Sequence, residues 1–149
     1  MTATPAALRD PEDDVDATII PTMRYRDAAK MIDWLGAAFG FARRMVIDDG
    51  NGGVAHAELT LGNGMIMLGS ARDDDFGKLQ ATPAALGGTT QSPYIVVADV
   101  AAAYTKAKAA GAEMIGDIRQ QSYGRDFSCR DPEGHLWNLG DYNPWTYTG

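Results

Sequence analysis

The chain has one cysteine, Cys129, in 149 residues. That excludes an intrachain disulfide and any metal site built from a cluster of thiolates. Set within a strand-like run, Cys129 reads as a small packed side chain rather than a nucleophile, and the chain as a cytoplasmic protein of a reducing compartment. Long apolar runs are also missing, and none reaches the length needed to span a bilayer. The opening MTATPAALRDPEDDVD has neither the cationic start nor the apolar stretch of a signal peptide. Positive charge is in deficit, with 13 Lys and Arg against 20 Asp and Glu and a net charge of −7. This balance argues against nucleic acid and anionic membranes as partners, and it attracts cationic small molecules. There is no phosphate-binding glycine loop, no Ser–His–Asp series and no zinc-protease helix.

What is present suffices for one packed domain, at 45% hydrophobic residues. Residues 1–16 are rich in Ala, Pro and Asp, lack periodicity and read as a flexible N-terminal tail. Ala17–Arg26 reads as a strand, and Asp27 as the N-cap of a helix. Ala28, Met31, Ile32, Leu35, Ala38 and Phe39 give that helix one apolar stripe, and Gly40 ends it. Phe41–Asp48, Val54–Leu61 and Met65–Ser70 read as three more strands. Residues 71–92 break the pattern and read as a linker or lid.

The second half then repeats the first. Pro93–Ala98 is a strand, Asp99 an N-cap, Gly111 a helix stop and Glu113–Gln120 a strand. The stripe of this second helix is Val100, Ala103, Tyr104, Ala107 and Ala110. A hairpin of Arg125–Arg130 and His135–Tyr142 closes the unit around Asp131-Pro132-Glu133-Gly134, where Pro presets φ and Gly supplies the positive φ. Residues 143–149 form a C-terminal tail. Pro21 and Pro93, Asp27 and Asp99, Gly40 and Gly111, and Gly64 and Gly134 correspond at offsets of 72, 72, 71 and 70 residues. The expected fold is α+β: two tandem βαβββ modules, residues 17–70 and 93–142, forming a curved, partly closed mixed sheet with helices outside and a concave inner surface.

The closing stretch QSYGRDFSCRDPEGHLWNLGDY, residues 121–142, resembles the final hairpin of the vicinal oxygen chelate superfamily, and within it the PhnB-like branch. That superfamily includes glyoxalase I, bleomycin-resistance proteins and extradiol dioxygenases. The resemblance covers roughly Ala17 to Tyr142 and implies the same paired modules around a small-molecule cavity. It also implies a homodimer in which modules from two chains complete each cavity. Enzymatic members hold a metal through the first and last strands of each module. The matching positions here are Pro21, Met67 or Leu68, Pro93 and Asn138, which offer neither imidazole nor carboxylate. The expectation is no metal and no cofactor.

Strand parity selects the candidate site. Ala55, Ala57, Leu59 and Leu61 suit the helix-covered face of the third strand, which turns His56, Glu58 and Thr60 to the concave face. Trp137 and Leu139 do the same on the last strand and turn Asn138 inward. Tyr94, Tyr123 and Arg125 are placed toward the cavity mouth. A His and a carboxylate two apart on one strand can bind a metal, share a proton or orient a polar ligand. They also occur simply as a hydrogen-bonded pair on a solvated sheet face. Glu58, without a fixed partner beside an apolar wall, is expected to carry a raised pKa unless His56 is protonated. His135 reads as a structural hydrogen-bonder, Trp137 as packed beneath the second helix, and Trp34, off its helix stripe, as a contact for another subunit or the tail.

Two functions from different classes follow. One is metal-independent sequestration of an aromatic or cationic compound, of the antibiotic-resistance type. The other is a glyoxalase-like lyase, isomerase or dioxygenase with His56 and Glu58 as base or displaced metal ligands. A third reading is an assembly module with no dedicated ligand.

Overall fold

The computed structural model describes residues 15–149, so all but the last two residues of the expected N-terminal tail lie outside the described residues. Helix α1, Ala28–Phe39, starts where the Asp27 carboxylate accepts a hydrogen bond from the Lys30 N–H. It ends at Gly40, whose φ of 91° is left-handed. Its whole apolar stripe is buried, as the 3.6-residue spacing predicts. Strands β1 (Thr22–Tyr25), β2 (Ala42–Asp48), β3 (Val54–Leu61) and β4 (Gly64–Ser70) form a four-stranded sheet in the order β1-β4-β3-β2. β1 runs parallel to β4, and the other pairs are antiparallel.

The segment between the modules has structure of its own. It holds a 3-10 turn at Phe76–Lys78 and a short helix α2, Pro83–Leu86, capped by the Thr82 hydroxyl. The Gln80 side-chain amide donates to the Thr22 carbonyl at 2.7 Å, tying the segment to the free edge of β1. The second module then follows with β5 (Tyr94–Val96), α3 (Val100–Ala109), β6 (Glu113–Gln121), β7 (Gly124–Arg130) and β8 (Leu136–Gly140). Its sheet order, β5-β8-β7-β6, repeats the first. The fold is therefore α+β, two βαβββ modules with mixed sheets, as expected.

Among the described residues no strand of one sheet pairs with a strand of the other. The modules meet instead through α1 against α3 and through one core that takes side chains from both. Trp137, fully buried, packs against Phe39 and Phe41 at ring-centroid distances of 5.0 and 5.8 Å, so it also reaches the C-terminal end of α1 in the other module. Trp34 also turns inward. Its indole N–H donates to the Ala110 carbonyl at 2.7 Å and its ring meets Phe39 edge-on, so it joins α1 to the end of α3.

The turn between β7 and β8 is the polar part of this junction. Asp131 is buried and accepts from the Tyr25 hydroxyl at 2.6 Å, the Trp137 indole at 3.1 Å and the Glu133 and His135 N–H groups at 3.0 and 3.1 Å. Glu133 reaches back to accept the Arg26 and Asp27 N–H groups at the start of α1. The His135 ring bonds the Arg24 carbonyl at 2.8 Å, the structural part its strand-start position predicts.

Candidate functional site

In β3 the period of two operates as read. Ala57 and Leu59 are buried, while His56, Glu58 and Thr60 share the opposite, partly exposed face. Register surrounds them with apolar neighbours. Met45 and Met67 flank Glu58, Ile47 lies beside His56, and Met65 beside Thr60. Ala55, expected on the packed side, is exposed next to the register shift between Ile47 and Asp48.

Glu58 is not a free carboxylate. The His56 Nε2 lies 2.9 Å from one of its oxygens, and the Arg44 Nη1 donates to the other at 2.6 Å. The hydrogen bond from His56, the largest effect, together with the Arg44 charge and hydrogen bond holds the Glu58 carboxyl below its ordinary range, against burial, which raises it. This corrects the expectation of a raised pKa and no fixed partner. The reason is a β-bulge between Arg43 and Met45, which leaves Arg44 out of register, from where its side chain reaches Glu58. A strict period of two cannot foresee it.

The second module presents a polar chain on the corresponding face. Arg119 donates to Asp126 at 2.7 Å and to the Ser128 hydroxyl at 3.1 Å. Ser128 donates to the Asn138 carbonyl oxygen at 2.7 Å, and the Asn138 amide donates to Ser92 at 2.8 Å and the Pro93 carbonyl at 3.2 Å. Tyr94 pairs with Asn138 in register, and its hydroxyl donates to the Tyr142 carbonyl at 2.9 Å. Tyr123 meets Tyr142 edge-on at 5.2 Å, and both line a cavity of about 310 Å³ with Asp141, Asn143 and Tyr147. Arg125 has the parity of Phe127, the packed side, but stands exposed at the strand start with its N–H on Asp141. The candidate residues thus fall into two groups on two sheets: His56, Glu58 and Thr60 on the first, and Asn138 and Tyr94, with Tyr123 nearby, on the second. Arg24, Arg44, Arg119 and Ser128 were not read from the sequence. Arg119 and Asp126 alone had a visible signal, since they face one another across the turn at Ser122-Tyr123.

Register also decides between Met67 and Leu68 at the positions that the resemblance compares with metal ligands. The Met67 N–H donates to the Pro21 carbonyl at 2.9 Å, and the Asn138 N–H to the Pro93 carbonyl at 3.0 Å. Met67 therefore corresponds to Asn138, and Leu68 belongs to the core. Two prolines, a thioether and a hydrogen-bonded amide do not fit a divalent transition metal, which favours imidazole and carboxylate. Among the described residues no group of three or more His, Cys, Asp or Glu is placed to hold a metal ion. Cys129 is buried with its thiol pushed up to about 11, chiefly by burial, which does not suit a nucleophile.

A family model described as the Glyoxalase/Bleomycin resistance protein/Dioxygenase superfamily matches residues 10–139. An uncharacterized protein of Mycobacterium bovis, Mb0911c, is 30% identical over 128 residues, covering 85% of this chain and 84% of its own length. Rv0887c of Mycobacterium tuberculosis is equally similar over 85% of this chain and 75% of its own. The crystal structure of TioX from Micromonospora sp. ML1 matches with a TM-score of 0.68 at 26% identity, over 85% of this chain and 99% of TioX. A mutant of the fosfomycin resistance protein FosX from Listeria monocytogenes, complexed with Mn(II) and a dihydroxypropylphosphonic acid, has a TM-score of 0.62 at 15% identity, over 87% of this chain and 93% of its own. That last likeness is one of fold alone. With two βαβββ modules in place and the family model spanning both, the chain belongs to the Glyoxalase/Bleomycin resistance protein/Dioxygenase superfamily.

Proposed function

We propose that this protein binds and sequesters an aromatic small molecule without a metal, in the manner of bleomycin-resistance proteins. The observation that carries the reading is the chemistry of the two open sheet faces. The positions that the resemblance assigns to metal carry Pro21, Met67, Pro93 and Asn138, and Met45, Ile47, Met65 and Met67 surround a few hydrogen-bonded polar groups. Apolar lining with a few fixed polar groups is the usual make-up of a ligand pocket. Met45 and Ile47 are 40% and 48% exposed, more apolar surface than a solvated sheet face needs. Of the two ligand types expected from sequence, the aromatic one has the better support, because Arg44 and His56 already take the Glu58 charge.

The cavity forms in a homodimer, with the first sheet of one chain facing the second sheet of its partner. Supporting this are the separate sheets and their solvent-facing sides. The protein works in the cytoplasm, where Cys129 stays reduced. No helix among the described residues is long and apolar enough to cross a membrane.

A thermal-stability screen of chelator-treated protein against aromatic natural-product classes tests the reading. Compounds that raise the melting temperature and are recovered unchanged are the expected result. About one transition metal per chain, with stabilisation only in its presence, would overturn it.

A second reading, a lyase, isomerase or dioxygenase, is favoured by one observation. Glu58 fixes one ring nitrogen of His56 and leaves the other open for proton transfer. It requires that a bound compound be consumed, and that His56→Ala abolish consumption while keeping binding.

A further inference from the structure

No carboxylate among the described residues forms a salt bridge with Arg24, although Asp74 acts on its charge from further off. Its neighbours in β1, Met23 and Tyr25, point into the core, so Arg24 points to the face that carries His56 and Glu58. It lies across Gly69 of β4, its partner in register. A Cβ at that position would run into the Arg24 Nη1, and the bare glycine leaves room for the guanidinium. Nη1 makes one long bond, 3.4 Å to the Ser70 carbonyl. Nε is shielded from solvent and has no partner, and among the described residues it is the one buried side-chain nitrogen or oxygen left so.

Glu58 and Asp74 already have partners. Glu58 is held by Arg44 and His56. Asp74 is held by the Arg72 Nε and Nη2 at 2.8 and 2.6 Å and by the Gly77 N–H at 3.0 Å. Arg24 and Arg72 both pack on the Phe76 ring, at 5.1 and 5.4 Å from its centroid, which brings two like charges together. Burial first, and then the Arg72 charge, lower the Arg24 pKa against a smaller raising effect of Asp74, a sign that the site holds its cation at a cost.

The geometry points to Arg24 as the recognition group for a carboxylate borne by the small molecule that the open face takes. The Nε–Nη2 edge of a guanidinium matches the two oxygens of a carboxylate. Both nitrogens of that edge lack partners among the described residues. A carboxylate there satisfies Nε and relieves the repulsion between Arg24 and Arg72. Met67, Met65 and Ile47 on the same face take the aromatic body. Phe76, 39% exposed on a turn of three residues, shifts or stacks to admit it. The ligand class is therefore an aromatic carboxylate, not the cation that the net charge alone invites.

This inference rests on the reading that the open face binds a small molecule, and three matched probes separate the two. 2-Naphthoate, 2-naphthamide and 2-naphthamidine share a shape and differ in charge. Their affinities are measured by NMR titration of the intact protein at fixed ionic strength. Naphthoate is expected to bind at least about tenfold tighter than the amide, as a charge-assisted bidentate pair does over a neutral one. Arg24→Gln should bring naphthoate down to the level of the amide and leave the amide unchanged. Arg24→Lys, which keeps the charge without the fork, should fall between. Naphthamidine binding as tightly as naphthoate, naphthoate binding Arg24→Gln as tightly as the parent, or no binding of naphthoate would each overturn the assignment. Equal binding of all three on the open face would sink Arg24 and leave the small-molecule reading standing. The ranking on the parent protein decides even if a variant fails to fold.

Discussion

Glu58 and its neighbour Leu59 show how far one strand separates binding from stability. Leu59 is 1% exposed, and Leu59→Ala should cost about 2–5 kcal/mol in chemical denaturation, the usual range for a truncated core residue. Glu58→Gln should leave the melting temperature at neutral pH nearly unchanged, since ion pairs at a partly exposed face contribute little, and it should lower ligand affinity by releasing the His56 and Arg44 side chains that Glu58 holds in place. If Glu58→Gln unfolds the protein and Leu59→Ala is silent, the strand faces the other way. The Glu58 carboxyl is held low by His56 first and then Arg44, so its contribution is present above the ordinary carboxylate range. That contribution fades as pH falls through the lowered folded-state value. In a carbon-detected NMR titration, the Glu58 midpoint should rise in Arg44→Ala and in His56→Ala. A midpoint that stays put in both would show that the bulge does not hold this pair together.

At the scale of elements, the turn at Asp131–Gly134 carries more than its hairpin. Asp131→Ala strands the Tyr25 hydroxyl and the Trp137 indole in the core, at about 1–3 kcal/mol for each unsatisfied group. Glu133→Ala removes a carboxylate cap from α1 and should cost about 0.5–2 kcal/mol, as helix caps do. Urea denaturation ranks the two, and a loss from Glu133→Ala as large as that from Asp131→Ala would contradict the burial difference between them. Burial first, and then the Asp131 charge, raise the Tyr25 phenol well above its ordinary value. Its stabilising effect is complete below the ordinary phenol pKa of about 10 and is lost as pH rises toward the folded-state value. Stability should fall in that alkaline window, and less steeply in Tyr25→Phe. The helix stripes, the N-cap aspartates and the DPEG turn were legible because each is a local pattern of a few residues. The Tyr25–Asp131 bond was not, because its partners are 106 residues apart and no period links them. Arg44 was hidden for a different reason, since a bulge shifts the parity on which the site was read.

The whole molecule raises a question that no single side chain answers, namely where the two open faces meet. One chain offers His56, Glu58 and Thr60 on the first sheet and Asn138 and Tyr94 on the second, and among the described residues no strand pairing joins those sheets. If a cavity is completed across a homodimer, each cavity takes the first sheet of one chain and the second sheet of the other. The protein should then sediment as a dimer at micromolar concentration. Complementation tests the arrangement more closely. A chain carrying Glu58→Gln has both cavities of its dimer damaged on one wall, and a chain carrying Asn138→Asp has both damaged on the other. Unfolding and refolding the two together yields mixed dimers, in which one cavity collects both lesions and the other collects none. With random pairing, about one quarter of all cavities should regain full affinity for a compound taken from the stability screen. A cavity built within one chain regains nothing on mixing, because every cavity keeps its own lesion. Titration of the mixture against each variant alone therefore distinguishes the two assemblies by stoichiometry, whatever the compound proves to be.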